Sequence, residues 1–534
     1  MSVKVKIDGV EYEANEGELL IDLAARNGID IPHFCYHPGL GPDGNCRMCQ
    51  VEFLSDRGNR LGISCKAVVM DGMDVSVKSE AARRARASVE EMLLLNHPLD
   101  CPICDKAGEC TLQNYYMEHD LEDSRQNFTR FKKDKAVDIG PTMVLDQERC
   151  VLCDRCVRFL RDVAGEEQLF IAGRGHSAYI TPFPGKEVDS AYSLNTVDIC
   201  PVGALTAKDF RFASPTWYLR NTNTVCTTCS RGCSMQLQVH RNFTDKAGEH
   251  RDRVMRFRPR HNPDVNRYWA CDEGRLNYKF VNQSRIDRAR VRRGDDVYPG
   301  SLGEAVAEVR TLLGFEGAGK VENPAANAAV VVSASASLEE MFLSGRLAGH
   351  LGAKAVVARH CADGVEDSIL RKADRHANVA GAKLLGLEVI DLRSDASALA
   401  AADVLIAIGF NNEISKGLLD AAAKAKRVIA ITGCETELSA RADVVVPGVT
   451  WAEKDGLVVN FEGHLQRLRA GVRPHGVSDW EVLDTLIASI QGNEPVKMIG
   501  HVRKAMQEDV DALADVNLVN IGAAGVRLSG QPVG

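Results

Sequence analysis

His97-Pro-Leu-Asp-Cys101-Pro-Ile-Cys104-Asp-Lys-Ala-Gly-Glu-Cys110 places three cysteines within ten residues. Pro and Gly punctuate the stretch, so it reads as a loop rather than a helix or a strand. Three thiolates this close can wrap a metal centre, but a four-coordinate centre needs one ligand more. His97, Asp100, His119, Cys361 and Cys434 are the candidates. Imidazole replaces thiolate at some iron–sulfur centres. His97 has a second explanation, because it ends a helix-like segment and a histidine there meets the negative end of the helix dipole. The residues alone leave both open.

N-terminal to this loop, residues 3–7 and 10–14 alternate with period two around Asp8-Gly9, a hairpin signal. Glu18 to Arg26 follows with Leu19, Leu20, Leu23 and Ala24 on one face, and Gly28 ends it. A hairpin and then a helix begin a small β-grasp domain. Cys35, Cys46, Cys49 and Cys65 come next, separated by ten, two and fifteen residues. Zinc sites usually pair two C-x-x-C knuckles. Here one such pair stands in a Gly- and Pro-rich loop, closer to the plant-type [2Fe–2S] arrangement. Residues 80–95 read as an amphipathic helix with Val89, Met92 and Leu93 inward and Arg83, Arg84 and Arg86 mostly off that face. Asn96-His97-Pro98 stops it.

C-terminal to the loop, Cys150, Cys153 and Cys156 form a C-x2-C-x2-C run, and Cys200-Pro201 follows. That is a ferredoxin pattern, and with no second run Cys200 most simply closes its own [4Fe–4S] centre. Cys226, Cys229, Cys233 and, after 37 intervening residues, Cys271 make a fourth group. Two alternating segments, 235–239 and 254–258, would form a small sheet that returns Cys271 to the loop. A structural zinc is the alternative occupant here. Arg251, Arg253, Arg256, Arg258 and Arg260 read as a solvated face with acidic neighbours rather than an anion site. Residues 282–300 carry no clear period and read as a linker. Short apolar runs beyond residue 327, among them Val330–Val332, Val404–Ile408 and Val444–Val446, alternate with helix-like segments. They predict an α/β region with a mostly parallel sheet. Gly409-Phe-Asn-Asn412 follows a strand end, but matches no nucleotide fingerprint and reads as a plain turn. The last ~30 residues, Gly- and Ala-rich, read as a loose tail.

The totals exclude several classes. The 534 residues are too many for one core. A net charge of -8 argues against nucleic-acid binding, and no apolar run approaches the ~20 residues that cross a bilayer. The N-terminus opens directly on a strand pattern, without the look of a signal peptide. Seventeen cysteines, fifteen of them before residue 272 at short fixed spacings, are metal ligands rather than a disulfide framework. No nucleophile–base constellation emerges.

Taken together, the cysteine groups, the β-grasp start and His97-x3-Cys101-x2-Cys104-x5-Cys110 resemble the large iron–sulfur subunit, the 75-kDa type, of NADH:quinone oxidoreductase, respiratory complex I. The resemblance is strong over residues 1–290 and looser over 300–470. It implies a β-grasp [2Fe–2S] domain over 1–78, a His/Cys3 [4Fe–4S] domain over 79–120 and a ferredoxin-like [4Fe–4S] domain over 121–218. It further implies a molybdopterin-oxidoreductase-type [4Fe–4S] domain over 219–282 and an α/β remnant of the molybdopterin-binding fold over 300–500, with a tail over 501–534. The family makes His97 the fourth ligand beside Cys101, Cys104 and Cys110. Cys226, Cys229, Cys233 and Cys271 look like the additional [4Fe–4S] centre of some members, off the main electron path. Val444-Val-Val-Pro-Gly-Val-Thr-Trp-Ala-Glu-Lys-Asp-Gly456 also resembles the molybdopterin-binding fold. That part is short, Asp272-Glu273 stand where molybdenum enzymes often carry a lysine, and no molybdenum cofactor is expected. Arg359-His-Cys361 falls near the metal-binding position of formate dehydrogenases. Its following Ala362-Asp363-Gly364 does not match theirs, so a buried structural thiol is expected. The implied role is electron transfer between a NADH- and FMN-binding flavoprotein subunit and a ferredoxin-like two-cluster subunit, towards the quinone-site subunits. The implied place is the cytoplasmic face of the inner membrane, with membrane contact only through partners. The rivals are a formate dehydrogenase subunit, the diaphorase arm of an NAD-linked hydrogenase, and a zinc scaffold.

Overall fold

The structure, a computed structural model, describes residues 2–119, 123–244, 248–315 and 327–528. The chain divides into two compact units, Met1–Tyr218 and Leu219–Gly534.

In the first unit, β1 (Ser2–Ile7) and β2 (Val10–Asn15) pair antiparallel with Val5 opposite Tyr12. Asp8 and Gly9 both take positive φ, 50° and 83°, as a two-residue turn of this hand requires. α1 (Leu20–Arg26) lays Leu20, Leu23 and Ala24 on the sheet. β3 (Gln50–Phe53), β4 (Arg60–Ile63) and β5 (Met73–Ser76) complete the order β2-β1-β5-β3-β4. α2 (Glu80–Leu94) starts where Ser79 Oγ accepts the Ala82 N–H at 3.1 Å. Arg86 departs from the expected outward position. It is 3% exposed, because its guanidinium donates to the Gln50 carbonyl at 3.0 Å, whereas Met92 is 63% exposed. α3 (Thr111–His119) follows the three-cysteine loop.

The rest of this unit is built from short pieces: β6 (Val137–Asp138), β7 (Met143–Leu145), α4 (Arg155–Arg158), β8 (Leu169–Ala172), β9 (Tyr179–Pro182), α5 (Asn195–Ile199) and β10 (Leu205–Ala207). β7 lies between β10 and β6, and β8 pairs with β9. Elements this short hold loops in place rather than enclose a large core.

The second unit opens with β11 (Leu219–Val225), β12 (Ser234–Thr244) and β13 (His250–Pro259), an antiparallel sheet in that order. α6 (Asp272–Leu276) begins at Cys271. β14 (Ala289–Arg293) and β15 (Asp296–Gly300) then form a hairpin at the edge of the large sheet. The expected linker over 282–300 is therefore corrected: Ala289 and Val291 point inward, and β14 pairs with a later strand. The intervening arginines hid the period of two.

α7 (Leu302–Leu312), β16 (Ala328–Ser333), α8 (Leu338–His350), β17 (Ala355–Arg359), α9 (Val379–Leu384), β18 (Glu388–Asp391), β19 (Val404–Ile408), α10 (Lys416–Lys424), β20 (Arg427–Thr432), α11 (Glu437–Arg441) and β21 (Val444–Pro447) build a three-layer sandwich. The sheet order is β15-β14-β21-β20-β19-β16-β17-β18, parallel from β21 to β18. Val330, Val332, Ile406 and Ile408 face α8, while Val331, Leu405 and Ala407 face α10 and α11. Both faces are covered, which explains why these strands read as unbroken apolar runs.

β22 (Gly456–Val459), β23 (His464–Leu468), α12 (Asp479–Gln491), α13 (Ile499–Asp509) and β24 (Val526–Arg527) finish the unit. β24 pairs with β23, and Leu513, Leu518 and Leu528 join the core. The expected loose tail is thus an integrated segment as far as Leu528. Sparse but regularly buried leucines anchor it, and residues 529–534 lie outside the described part.

Candidate metal centres

The β-grasp fold brings Cys35, Cys46, Cys49 and Cys65 together. Cys35 contacts the sulfurs of Cys46 and Cys65, and Cys49 contacts Cys65. Cys35, Cys49 and Cys65 are at most 1% exposed. The Cys35 amide donates to Cys46 Sγ at 3.4 Å, and the Gly44 amide donates to Cys35 Sγ. Gly44 (φ 86°) and Arg47 (φ 58°) take left-handed backbone, which turns the loop amides inward around the sulfurs. The neighbouring sulfurs of Cys46 and Cys65 hold the Cys35 thiol far below its ordinary value.

The Cys150 run has the same construction. Leu152 and Asp154 carry φ of 52° and 63°, and the Leu152 amide reaches Cys150 Sγ at 3.4 Å. Cys150, Cys153 and Cys156 feel one another and Cys200 electrostatically, so the four converge. Burial pushes the Cys150 and Cys153 thiols up to about 12. A thiol in such surroundings loses its proton to solvent only when a cation takes the proton's place.

Two arginines of α4 join this run to the Cys35 loop. Arg155 donates to the carbonyls of Ile199, at 3.0 Å, and of Tyr36. Arg158 donates to the carbonyls of Gly41, at 3.2 Å, and of Cys35. On the other side, the Cys200 loop touches the three-cysteine loop. The Thr111 amide donates to the Pro201 carbonyl at 2.9 Å, and Gly203 lies directly against Cys104 Sγ.

The three-cysteine loop itself is a single 3-10 turn, Cys101–Ile103, followed by Gly108 at φ 84°. Cys110 is buried and its thiol is pushed up to about 11; Cys101 is exposed. His97 sits just past α2, its amide bonded to the Leu94 carbonyl at 3.2 Å. Burial, with Arg149 nearby, lowers its imidazole to about 4, so it is neutral at pH 7 and keeps a lone pair for a metal. One other candidate for the fourth ligand is engaged elsewhere. Asp100 takes Arg149, at 2.8 Å, and Lys135, at 2.6 Å. His119 packs its ring against Tyr115. Cys361 and Cys434 belong to the second unit.

In the second unit, Cys226 follows β11 and Cys233 precedes β12, so the hairpin connection carries three of the four cysteines. The Cys226 amide donates to the Cys233 carbonyl at 2.8 Å. Cys271 caps α6 and accepts the Gly274 amide at 3.4 Å. Gly274 is packed against both Cys226 and Cys271, where a Cβ would come within 3.0 and 3.4 Å of the sulfurs. The amides of Arg231 and Lys372 donate to Cys229. Burial pushes the Cys226 thiol up to about 12 and raises Cys233 and Cys271 as well. Of the five arginines expected on a solvated face, Arg251 pairs with Glu249, while Arg260 donates to the Ala523 carbonyl at 2.7 Å.

The donors suit iron–sulfur clusters. A single tetrahedral ion with bonds near 2.3 Å needs its sulfurs about 3.7 Å apart. Among the described residues, three His, Cys, Asp or Glu ligand atoms lie within 4.8 Å of one another only at His360, Cys361 and His376. The cysteine groups are wider than that, the spacing that a cluster takes. Amides aimed at sulfur are the interactions that tune such clusters. The sequence did not single out Arg149, Arg155, Arg158 or Gly203, because their partners are far away along the chain.

These features define an iron–sulfur protein that carries a [2Fe–2S] domain, ferredoxin-like [4Fe–4S] domains and a molybdopterin-oxidoreductase-like α/β body. Known families match in that order. Residues 1–80 match a 2Fe-2S iron-sulfur cluster binding domain, and 86–125 the NADH-ubiquinone oxidoreductase-G iron-sulfur binding region. Residues 140–206 match the ferredoxin-like domain of NADH-quinone oxidoreductase subunit 3. Residues 219–283 match the molybdopterin oxidoreductase Fe4S4 domain, and 373–489 molybdopterin oxidoreductase. The chain is similar to the 75-kDa-type iron–sulfur subunits of NADH-quinone oxidoreductase. It is 41% identical to the corresponding NADH-quinone oxidoreductase subunit of Streptomyces coelicolor, over 57% of this chain and 35% of that protein. It is 28% identical to the mitochondrial NADH-ubiquinone oxidoreductase 78 kDa subunit of Candida albicans, over 95% of this chain and 85% of that protein. The chain spans less than half of its bacterial relatives: 35% of the Streptomyces protein and 49% of the one from Rickettsia conorii, to which it is 35% identical over 66% of its own length. A chain of an NAD+-reducing [NiFe]-hydrogenase is 33% identical, covering 40% of this chain and 92% of that one, with a TM-score of 0.37.

Proposed function

We propose that this chain is the electron-carrying large subunit of a NADH:quinone oxidoreductase, passing reducing equivalents from a NADH- and FMN-binding flavoprotein towards quinone by way of a ferredoxin-like two-cluster subunit. The ligand sets are Cys35, Cys46, Cys49 and Cys65 for one [2Fe–2S] centre, and His97, Cys101, Cys104 and Cys110 for a [4Fe–4S] centre. Cys150, Cys153, Cys156 and Cys200 hold a second, and Cys226, Cys229, Cys233 and Cys271 a third. The domains follow the sequence assignment, 1–78, 79–120, 121–218 and 219–282, with the α/β body running from about 283 to at least 528. Among the described residues no helix is long and apolar enough to cross a membrane, which supports a peripheral place held through partners.

The supporting observation is the contact between the first three loops. Arg155 and Arg158 tie the Cys35 loop to the Cys150 run, and Pro201 and Gly203 hold the Cys200 loop against Cys104 and Thr111. When bound, an iron–sulfur cluster gains or loses one electron with little change of shape. The chain's part is to fix the distances, aim amides at the sulfurs and keep water away. Arg149, 4% exposed, stands beside His97 and Asp100 and brings fixed positive charge to the His97 end.

The test is iron, sulfide and molybdenum content together with low-temperature EPR on stepwise reduction of the purified chain. One [2Fe–2S] and three [4Fe–4S] centres require about fourteen iron. A colourless protein without EPR signals overturns the relay. One molybdenum per chain overturns it in favour of a formate dehydrogenase type of subunit.

A further inference from the structure

The second unit contains a cavity of about 60 Å³ at the carboxyl ends of its parallel strands. Its lining includes Thr228, Ser333, His360, Cys361, Asn411 and Trp451. Ser333 ends β16, His360 follows β17, and Asn411 lies just past β19. β17 and β19 flank β16, so the chain leaves the sheet centre in opposite directions on its two sides. Loops diverge at such a switch point, and α/β sheets bind ligands there.

His360, Cys361 and His376 bring three ligand atoms within 4.8 Å of one another at this place, all three buried. Hydrogen bonds hold both imidazole rings, His376 through Asp374 and His360 through Ser333 and the Glu413 backbone. His376 Nδ1 lies 2.9 Å from Asp374 Oδ1, which assigns its proton to that nitrogen and leaves Nε2 as acceptor. Nε2 faces the amides of His360 and Cys361 at 3.0 and 3.2 Å. His360 Nε2 is 3.0 Å from Ser333 Oγ, and its Nδ1 is 3.4 Å from Cys361 Sγ. A carboxylate behind an imidazole is the usual support of a metal-binding histidine.

We propose that His360, Cys361 and His376 bind one borderline-soft divalent transition-metal ion of the zinc class, separate from the iron–sulfur centres. The ion takes the place of the thiol proton between Cys361 Sγ and His360 Nδ1, and that proton leaves to solvent. Tetrahedral bonds of 2.0–2.3 Å put ligand atoms roughly 3.5 Å apart, so the set must close by about 1 Å. The His376 lone pair turns from the two amides to the ion. The Cys361 thiolate is the charge that meets the ion; Asp374 behind His376 and Glu413 beside Cys361 are shared with arginines. The nearby cations are paired: Arg375 with Glu273 and Glu413, Arg359 with Asp374 and Asp363, Arg393 with Asp391 and Asp363, and Lys454 with Glu340 and Asp479. The fourth position opens on the cavity and takes water. Trp451, whose buried Nε1 has no hydrogen-bond partner, supplies a donor on that wall.

The site does not depend on the relay. The full chain, with its iron centres in place, is titrated with Zn2+ against a chromophoric chelator, and zinc and iron are counted per chain. Wild type binds one zinc more than Cys361→Ser or His376→Gln, with iron equal in all three. Asp374→Asn weakens binding about 10- to 100-fold. Equal zinc uptake by wild type and Cys361→Ser, or no zinc uptake by wild type at micromolar concentration, overturns the proposal. Should His376→Gln fail to fold, zinc-edge X-ray absorption on wild type decides. A shell of one sulfur at about 2.3 Å and three nitrogen or oxygen atoms at about 2.0 Å is expected, and a shell without sulfur overturns the assignment.

Discussion

Gly203→Ala gives the sharpest test of the His97 centre. Gly203 does not hold a positive φ, so an added methyl group costs nothing in backbone strain. Its only effect is contact. The Cβ would stand far inside the envelope of Cys104 Sγ and 3.2 Å from Lys106 Cβ. Carbon and sulfur rest about 3.5–4.0 Å apart, so the sulfur must retreat by more than 1 Å. A free cysteine does this by rotating about χ1. A sulfur bonded to iron cannot, and the contact then costs about 1–3 kcal/mol, the range for overfilling a packed site. At 1.4 kcal/mol per tenfold, that weakens retention of this one centre by roughly 5- to 150-fold. Gly203→Ala is prepared beside wild type, and each is assayed for iron and by redox-titrated EPR during incubation with a chelator. One [4Fe–4S] signal should fade faster in the variant while the others keep their amplitude. Equal lifetimes for all the signals would refute ligation by Cys104, since a mobile thiol would have accommodated the methyl group.

His97→Cys should keep a cluster at a lower potential and His97→Ala should lose or destabilise it, read by EPR redox titration; unchanged signals in His97→Ala would make His97 only a helix cap. Lys454→Met leaves Glu340 and Asp479, both at most 1% exposed, without their cation and should cost about 3–5 kcal/mol in urea unfolding of the second unit; no loss would mean that both acids are held neutral. Asp391→Asn should cost about 1–2 kcal/mol at pH 7, after allowance for solvent screening of this partly exposed pair. Arg393 holds the Asp391 carboxyl down at about 2, below its unfolded value near 3.8, so the stabilisation is complete above pH 4 and disappears as the pH falls towards 2. Unfolding curves of the variant and wild type should converge over that interval, and a gap that persists at pH 2 would assign the effect to packing.

Local pattern made much of this molecule readable in advance. Asp8-Gly9 is flanked by alternating residues, and β1 and β2 lie there. Asn96-His97-Pro98 had to stop a helix, and α2 ends at Leu94. The apolar runs from Val330 to Val446 became parallel strands because both sheet faces are covered. The cysteine spacings marked the groups that the fold brings together, since a loop that presents three sulfurs must keep them close in sequence. Features that depend on distant partners were hidden. Arg158 looked like any surface arginine until the Cys35 loop, more than a hundred residues away, supplied its carbonyls. Arg86 was placed outward because the Gln50 carbonyl that receives it is invisible to helical periodicity. His360 and His376 are sixteen positions apart, and only the turn between β17 and α9 sets them side by side. The strand β14 went unseen because Arg290 and Arg292 occupy its outward positions.

The surroundings of Cys229 have a consequence for biosynthesis. The three cysteines of that hairpin leave the ribosome together, but the groups that enclose them come much later. The Ser230 amide bonds to the Asp374 carbonyl at 2.9 Å, the Phe461 amide to the Ser230 carbonyl at 3.0 Å, and Gln466 Nε2 to the Gly232 carbonyl at 2.7 Å. At about 5–20 residues per second, these partners emerge on the order of ten seconds or more after the cysteines they cover. The nascent chain therefore exposes bare thiols through that interval. Cluster-loading machinery meets Cys226–Cys233 most openly before the later strands dock; afterwards Cys229 alone keeps partial exposure.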